Sequence, residues 1–260
     1  MAAKKKSKKT AKKSSVPKGK KPKLVGKETA LKAFDKLAAH YPDAHCELDH
    51  HDPFELLVST VLSAQTTDVM VNKATPKIFA KYPDATAMAK AEPIDLEPLT
   101  ATLGFFRQKA KSIVMLARSI VETHGGSVPG TMAELVKLRG VGRKTANVVL
   151  GVAFKTPEGV VVDTHVQRLS QRLGWTRHKE PLDIEQDLMN LLPRKDWDTV
   201  SHVLIWHGRR CCTAMKPNCA GCPVNTECPS AFKAEKVGRK PKRERPPKKK
   251  SSSLSGGEAS

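Results

Sequence analysis

From Glu28 to His207 apolar residues recur at three- and four-residue intervals, segment after segment, and no run alternates with a period of two. That spacing lines side chains along one face of a helix and denies a half-buried strand its alternate inward positions. The one β-branched cluster, Val160 to Val162, is too short to imply a sheet. An all-α fold of packed helical layers joined by short loops is expected.

Punctuation sharpens the helix bounds. Leu31, Phe34, Leu37, Ala38 and Tyr41 mark a helix over 28–41, stopped before Pro42. Asp52-Pro53-Phe54-Glu55 reads as a capping box with proline at the first helical position, opening a helix over 53–64. Asp68 reads as the cap of a helix reaching residue 81. Short helices are expected over 85–91 and 94–103, and a longer one over 107–124 with Gly125-Gly126 as its stop. Thr131-Met132-Ala133-Glu134 is a second capping box, and three further helices are expected over 164–173, 183–192 and 195–207.

The formal charge of +20 sits mainly at the ends. Residues 1–24 hold eleven lysines and no acid, and residues 236–260 hold nine Lys or Arg against Glu244 and Glu258, so the tails carry +18. Such segments bury too little to offset the entropy of ordering, and they are expected to be disordered tethers for a polyanion, weakening steeply with salt. The nearly neutral body must recognise a polyanion through placed groups. No apolar stretch approaches 18 residues and the basic N-terminus lacks the apolar segment of a secretory signal, so a cytoplasmic protein is expected.

Chemistry concentrates in two places. Leu138-Arg139-Gly140-Val141-Gly142-Arg143-Lys144-Thr145-Ala146-Asn147 turns on two glycines and opens a helix, whose first amides and positive dipole end offer a seat for a phosphate oxygen. An amine at Lys144, in that first turn, is a candidate nucleophile, and Asp163, nineteen residues on, can bring a carboxylate beside it. The plainer alternative is an ordinary turn, a solvated lysine and an N-cap. Phe105 and Phe106 follow Gly104 between helical segments, either as core residues or as an apolar wedge for an opened base stack.

The second place is Cys212, Cys219, Cys222 and Cys228, four thiols within seventeen residues bent by Pro217, Gly221, Pro223 and Pro229. A segment so short and polar needs a shared centre in place of a core. Both zinc and a 4Fe-4S cluster take four thiolates, but zinc knuckles usually pair cysteines as Cys-x2-Cys twice, and only one such pair is present. Spacing favours the cluster. Cys211 could compete as a ligand, and Cys46 reads as a buried thiol.

Taken together, the glycine turn with Lys144, the Val162-Asp163-Thr164-His165 run and the cysteine spacing resemble endonuclease III, the iron-sulfur branch of helix-hairpin-helix DNA glycosylases. The resemblance covers roughly residues 26–228. It implies a helix-hairpin-helix DNA glycosylase fold with a six-helix barrel over 46–156, an iron-sulfur domain built from 25–45 and 157–232, and tails at 1–24 and 233–260. It implies a monomeric base-excision DNA glycosylase and AP lyase at the bacterial nucleoid, acting on double-stranded DNA that carries oxidised pyrimidines or abasic sites and nicking 3′ of the site by β-elimination.

By the motif match Lys144 is the nucleophile and Asp163 the assisting carboxylate, while Cys212, Cys219, Cys222 and Cys228 hold the 4Fe-4S cluster and Cys211 stands aside. DNA contacts fall to Gly140, Gly142, Arg143 and Thr145 of the hairpin, to His165 and to Lys216. Gln65 matches the residue that fills the gap left by a flipped base, and Leu103 and Phe105 match the apolar wedge. Met215 and Asn218 stand where arginines are common in the family, which weakens the phosphate grip of that loop. A monofunctional adenine or mismatch glycosylase, or a non-catalytic binder of damaged DNA, would keep much of this pattern without needing Lys144.

Overall fold

The computed structural model describes residues 23–237, and the basic tails lie almost wholly outside that range. Among the described residues there are eleven α-helices and no strand: α1 (Lys27–His40), α2 (Pro53–Leu62), α3 (Asp68–Lys81), α4 (Ala85–Ala89), α5 (Pro93–Thr100), α6 (Phe106–His124), α7 (Met132–Leu135), α8 (Arg143–Val152), α9 (Thr164–Arg172), α10 (Pro181–Leu191) and α11 (Trp197–Arg210). None is long and apolar enough to cross a membrane.

Two separate hydrophobic cores organise them. One is built from α2 to α8 around the apolar stripe of α6, where Ala110, Ile113, Val114, Leu116, Ala117 and Ile120 are all fully buried. Each large aliphatic side chain so placed contributes about 1.5–3 kcal/mol relative to exposure. The other core joins α1 to α9, α10 and α11 through Phe34, Leu37, Val166, Leu169, Ile184 and Leu204. The N-terminal helix thus packs with the C-terminal third of the chain, and α8 of the first core meets α11 of the second.

The caps differ from expectation in informative ways. Asp52 accepts from the Glu55 amide at 2.8 Å, but the Glu55 carboxylate reaches back to His51 rather than to the cap residue. Thr67, not Asp68, is the N-cap of α3; Asp68 is its first residue, and its carboxylate is free for an ion pair. The expected tail boundary at 233 also moves. Ala234 is buried and Arg172 donates to the Val237 carbonyl at 3.0 Å, so packed chain continues to the end of the described range.

Candidate active site

Gly140 and Gly142 serve different ends. Gly140 sits at φ +83, in the left-handed region where a side chain is strained. Gly142, the N-cap of α8, has φ −99, which any residue adopts, and a Cβ there would meet nothing within 4 Å. Nothing inside the fold calls for glycine at 142.

Lys144 follows on the first turn of α8, exposed, with no hydrogen bond or ion pair to another described residue. It lines a pocket of about 660 Å³ including its open mouth, together with Asp163, Glu47, Asp68, Trp206 and Arg209. Asp163 is the N-cap of α9: Oδ1 accepts from the His165 amide at 2.8 Å and the Val166 amide at 2.7 Å. The capping role and the place in the pocket are compatible, because two amides on Oδ1 fix the carboxylate and leave Oδ2 without a partner among the described residues. The structure therefore brings Lys144 and Asp163 into one cavity from two different cores.

The neighbouring residues divide. Arg143 is turned away, its guanidinium making two hydrogen bonds to Glu185 of α10 at 2.9 and 3.0 Å, while Asn147 donates to the same carboxylate at 2.8 Å. Its charge is thus spent on tying α8 to the second core. Thr145 is half-buried on the same turn. His165 is half-buried, and burial holds its ring below the ordinary histidine pKa despite the nearby Asp163. None of Gln65, Leu103, Phe105 or Lys216 lines this pocket.

Gln65 is exposed in the loop between α2 and α3, with φ +56. Phe105, the N-cap of α6, is 68% exposed with φ +58, whereas Leu103, expected beside it in the wedge, is 2% exposed and packs in the first core. The turn through Gly104 separates the two residues, so in this structure Phe105 alone is presented. Lys216 is exposed on the loop between the first two cysteines, apart from Lys144.

Spacing could not reveal the ion pairs across the pocket mouth. Arg209, near the end of α11, pairs with Glu47 and with Asp68 at 2.8 Å, and Arg210 adds a 3.4 Å pair to Glu47 while stacking 3.6 Å from the Trp206 ring. The partners lie 141 to 163 residues apart in the chain. They clamp α11 to the first core beside Lys144.

A cavity of about 370 Å³ is walled by all four predicted ligand cysteines and by Cys211, with Leu169, Leu173 and Val224 supplying an apolar surround. Burial, with the neighbouring sulfurs adding to it, pushes the Cys228 thiol up to about 11 and the Cys211 thiol to about 12. Four thiolates crowded this way need a cationic centre to neutralise them, so the donor set fits a metal or cluster. The tightest trio is His207, Cys211 and Cys222, whose ligand atoms lie within 4.8 Å of one another. Cys211 donates to the Asn218 carbonyl at 3.4 Å, and Cys228 to the Arg172 carbonyl at 3.4 Å.

Residues 58–194 match the HhH-GPD superfamily of base excision DNA repair proteins. The chain is 51% identical over 205 residues to endonuclease III of Synechocystis sp. PCC 6803, covering 79% of this chain and 94% of that protein. The chain belongs to the endonuclease III family. Endonuclease III of Bacillus subtilis is 45% identical over 79% of this chain and 94% of its own length. Among solved structures, an endonuclease III trapped as a covalent intermediate with DNA aligns at TM-score 0.76 and 41% identity, covering 82% of this chain and 99% of that one. Members of the endonuclease III family are base-excision DNA glycosylases with AP lyase activity, and this chain is such an enzyme.

Proposed function

We propose that this enzyme removes oxidised pyrimidines from duplex DNA through Lys144 and nicks the strand 3′ of the resulting abasic site by β-elimination. The observation that carries it is an unpaired amine, at the start of a helix, that lines one open pocket with a carboxylate keeping one oxygen free. The neighbour trapped as a covalent DNA intermediate supports a nucleophile that bonds to the substrate.

A base inside a duplex is out of reach of an amine, and swinging it out costs a few kcal/mol, least for a poorly stacked damaged base. The neutral Lys144 amine forms a bond to C1′ as the glycosidic bond breaks, and the base leaves with a proton. Asp163 stabilises the positive charge that develops on the sugar. Breaking of the C1′–O4′ bond, with a proton passing to O4′, turns this adduct into an open-chain iminium that acidifies C2′; loss of the C2′ proton expels the 3′ phosphate, and water then releases the lysine. Gln65 and Phe105 occupy the space vacated in the stack, and Arg143 acts by anchoring α8 through Glu185.

The 4Fe-4S cluster is held by Cys212, Cys219, Cys222 and Cys228, with Cys211 standing aside, and supplies a structural brace for a loop that has no core of its own. The chain divides into a barrel domain over 46–156 and a cluster domain from 25–45 together with 157–232, a reading that the membership of the two hydrophobic cores supports.

Incubation with a duplex containing a single thymine glycol tests the substrate and the reaction. Expected products are the free damaged base and a nicked strand whose 3′ end is the unsaturated aldehyde of β-elimination. Base release without nicking would instead indicate a monofunctional glycosylase. Gly142→Ala separates the hairpin from the fold: stability should change by less than about 1 kcal/mol. Affinity for abasic duplex DNA, read by fluorescence anisotropy, should fall by about tenfold as one amide-phosphate contact is blocked.

A further inference from the structure

A buried cation with no carboxylate beside it is costly unless the position uses it. Lys109, on the second turn of α6, is 5% exposed. Its ammonium donates to the Thr66 hydroxyl, and no carboxylate lies within ion-pair reach of it among the described residues. Burial pushes its pKa below the ordinary lysine value. No ion pair among the described residues gives a reason for the amine.

Position supplies one. Thr66 directly follows Gln65, and the Lys109 amide donates to the Phe105 carbonyl at 3.0 Å. Lys109 therefore touches both loops that carry the exposed residues expected to enter DNA. Gln65 and Phe105 are also two of the four non-glycine residues with left-handed backbone among the described residues. Such conformations cost of order 1–3 kcal/mol each and persist where the surroundings hold them. From the start of the helix that Phe105 caps, the Lys109 side chain reaches across to Thr66, beside Gln65.

We propose that Lys109 is a positioning residue for base extrusion: through Thr66 it fixes the Gln65 loop against the Phe105 turn, so that both side chains meet the duplex at a set separation. This rests on the assignment of Gln65 and Phe105 to the opened stack. Losing the tie slows opening of the duplex and leaves the chemistry at Lys144 intact.

The test compares two substrates in single turnover, a thymine glycol duplex and a single-stranded oligonucleotide with a pre-formed abasic site, which needs no duplex opening. Lys109→Met and Thr66→Val should each slow excision from the duplex by about tenfold. Nicking of the single strand should stay within about twofold, and the double variant should be no slower than either single one. Thr66→Ser, which keeps the hydroxyl, should restore the rate. 2-Aminopurine placed opposite the lesion should report slower unstacking in the same variants.

Thr66 is only half-buried and valine has its shape, so Thr66→Val carries the test if Lys109→Met does not fold. Equal losses on both substrates, multiplying losses in the double variant, or parental excision rates in Thr66→Val would overturn the proposal. Failure of the parent enzyme to excise thymine glycol would overturn the functional assignment, a result distinct from any of these.

Discussion

Lys144→Ala abolishes the covalent adduct with abasic DNA that borohydride traps, and lowers strand nicking by at least about 10³-fold, the scale seen when a covalent nucleophile is removed. The same substitution leaves the fold untouched. Lys144 is exposed and unpaired on a short helix that Arg143 and Asn147 anchor through Glu185, so truncation at Cβ removes no buried contact and no ion pair. Surface changes of that kind stay within about 0.5 kcal/mol, or a melting shift of at most about 2 °C. The combination discriminates. A nucleophile gives lost chemistry at unchanged stability, whereas a lysine that merely met a phosphate would leave an adduct still forming through another amine. Recovery of a full-strength cross-link from the alanine variant would place the nucleophile elsewhere.

Helix content was legible in the sequence because it depends on short-range rules, whereas the roles of Lys144 and Asp163, nineteen residues apart and lining one pocket, were suggested by the family resemblance. Caps, periods and a glycine turn act within a few residues, and Asp163 declares itself by capping α9 with two amides. What escaped depends on partners far along the chain or on a change of direction. Leu103 and Phe105 lie two residues apart, yet the turn at Gly104 sends one into the core and the other outward, and helical periodicity does not extend across a turn. Arg143 reads as a phosphate contact, yet Glu185, 42 residues away, takes the Nε and Nη2 edge of its guanidinium. The clamp of Arg209 on Glu47 and Asp68 is invisible for the same reason. Lys109, Arg168 and Arg172 fall on helices where cations are assumed to face water, and all three are buried.

Arg172 carries the second large expected effect. At 1% exposure it is among the largest fully buried side chains, and no carboxylate answers its charge among the described residues. Its guanidinium instead donates to the carbonyls of Cys212 at 3.3 Å, Thr213 at 2.7 Å, Ala214 at 2.9 Å and Val237 at 3.0 Å, and to the Cys212 sulfur at 3.3 Å. Arg168, also buried, lies close enough for Arg172 to lower its pKa, burial being the larger cause, and it donates to the Cys212 carbonyl too. Two neighbouring buried cations are tolerable where an anionic centre faces them, which is what thiolates around a cluster provide. Arg172→Met fills similar space but takes the donor from the Thr213, Ala214 and Val237 carbonyls and removes the whole fork of hydrogen bonds from a buried position, for a loss of about 3–5 kcal/mol. In a folded unit of this size that lowers the melting temperature by roughly 10 °C. Iron content and visible absorbance should fall with it, since the same arginine anchors the backbone from Cys212 to Ala214. Arg172→Lys keeps the charge but not the fork of donors, so it should fall between parent and methionine variant. A methionine variant with parental melting and parental absorbance would mean that the loop is held by its cysteines alone.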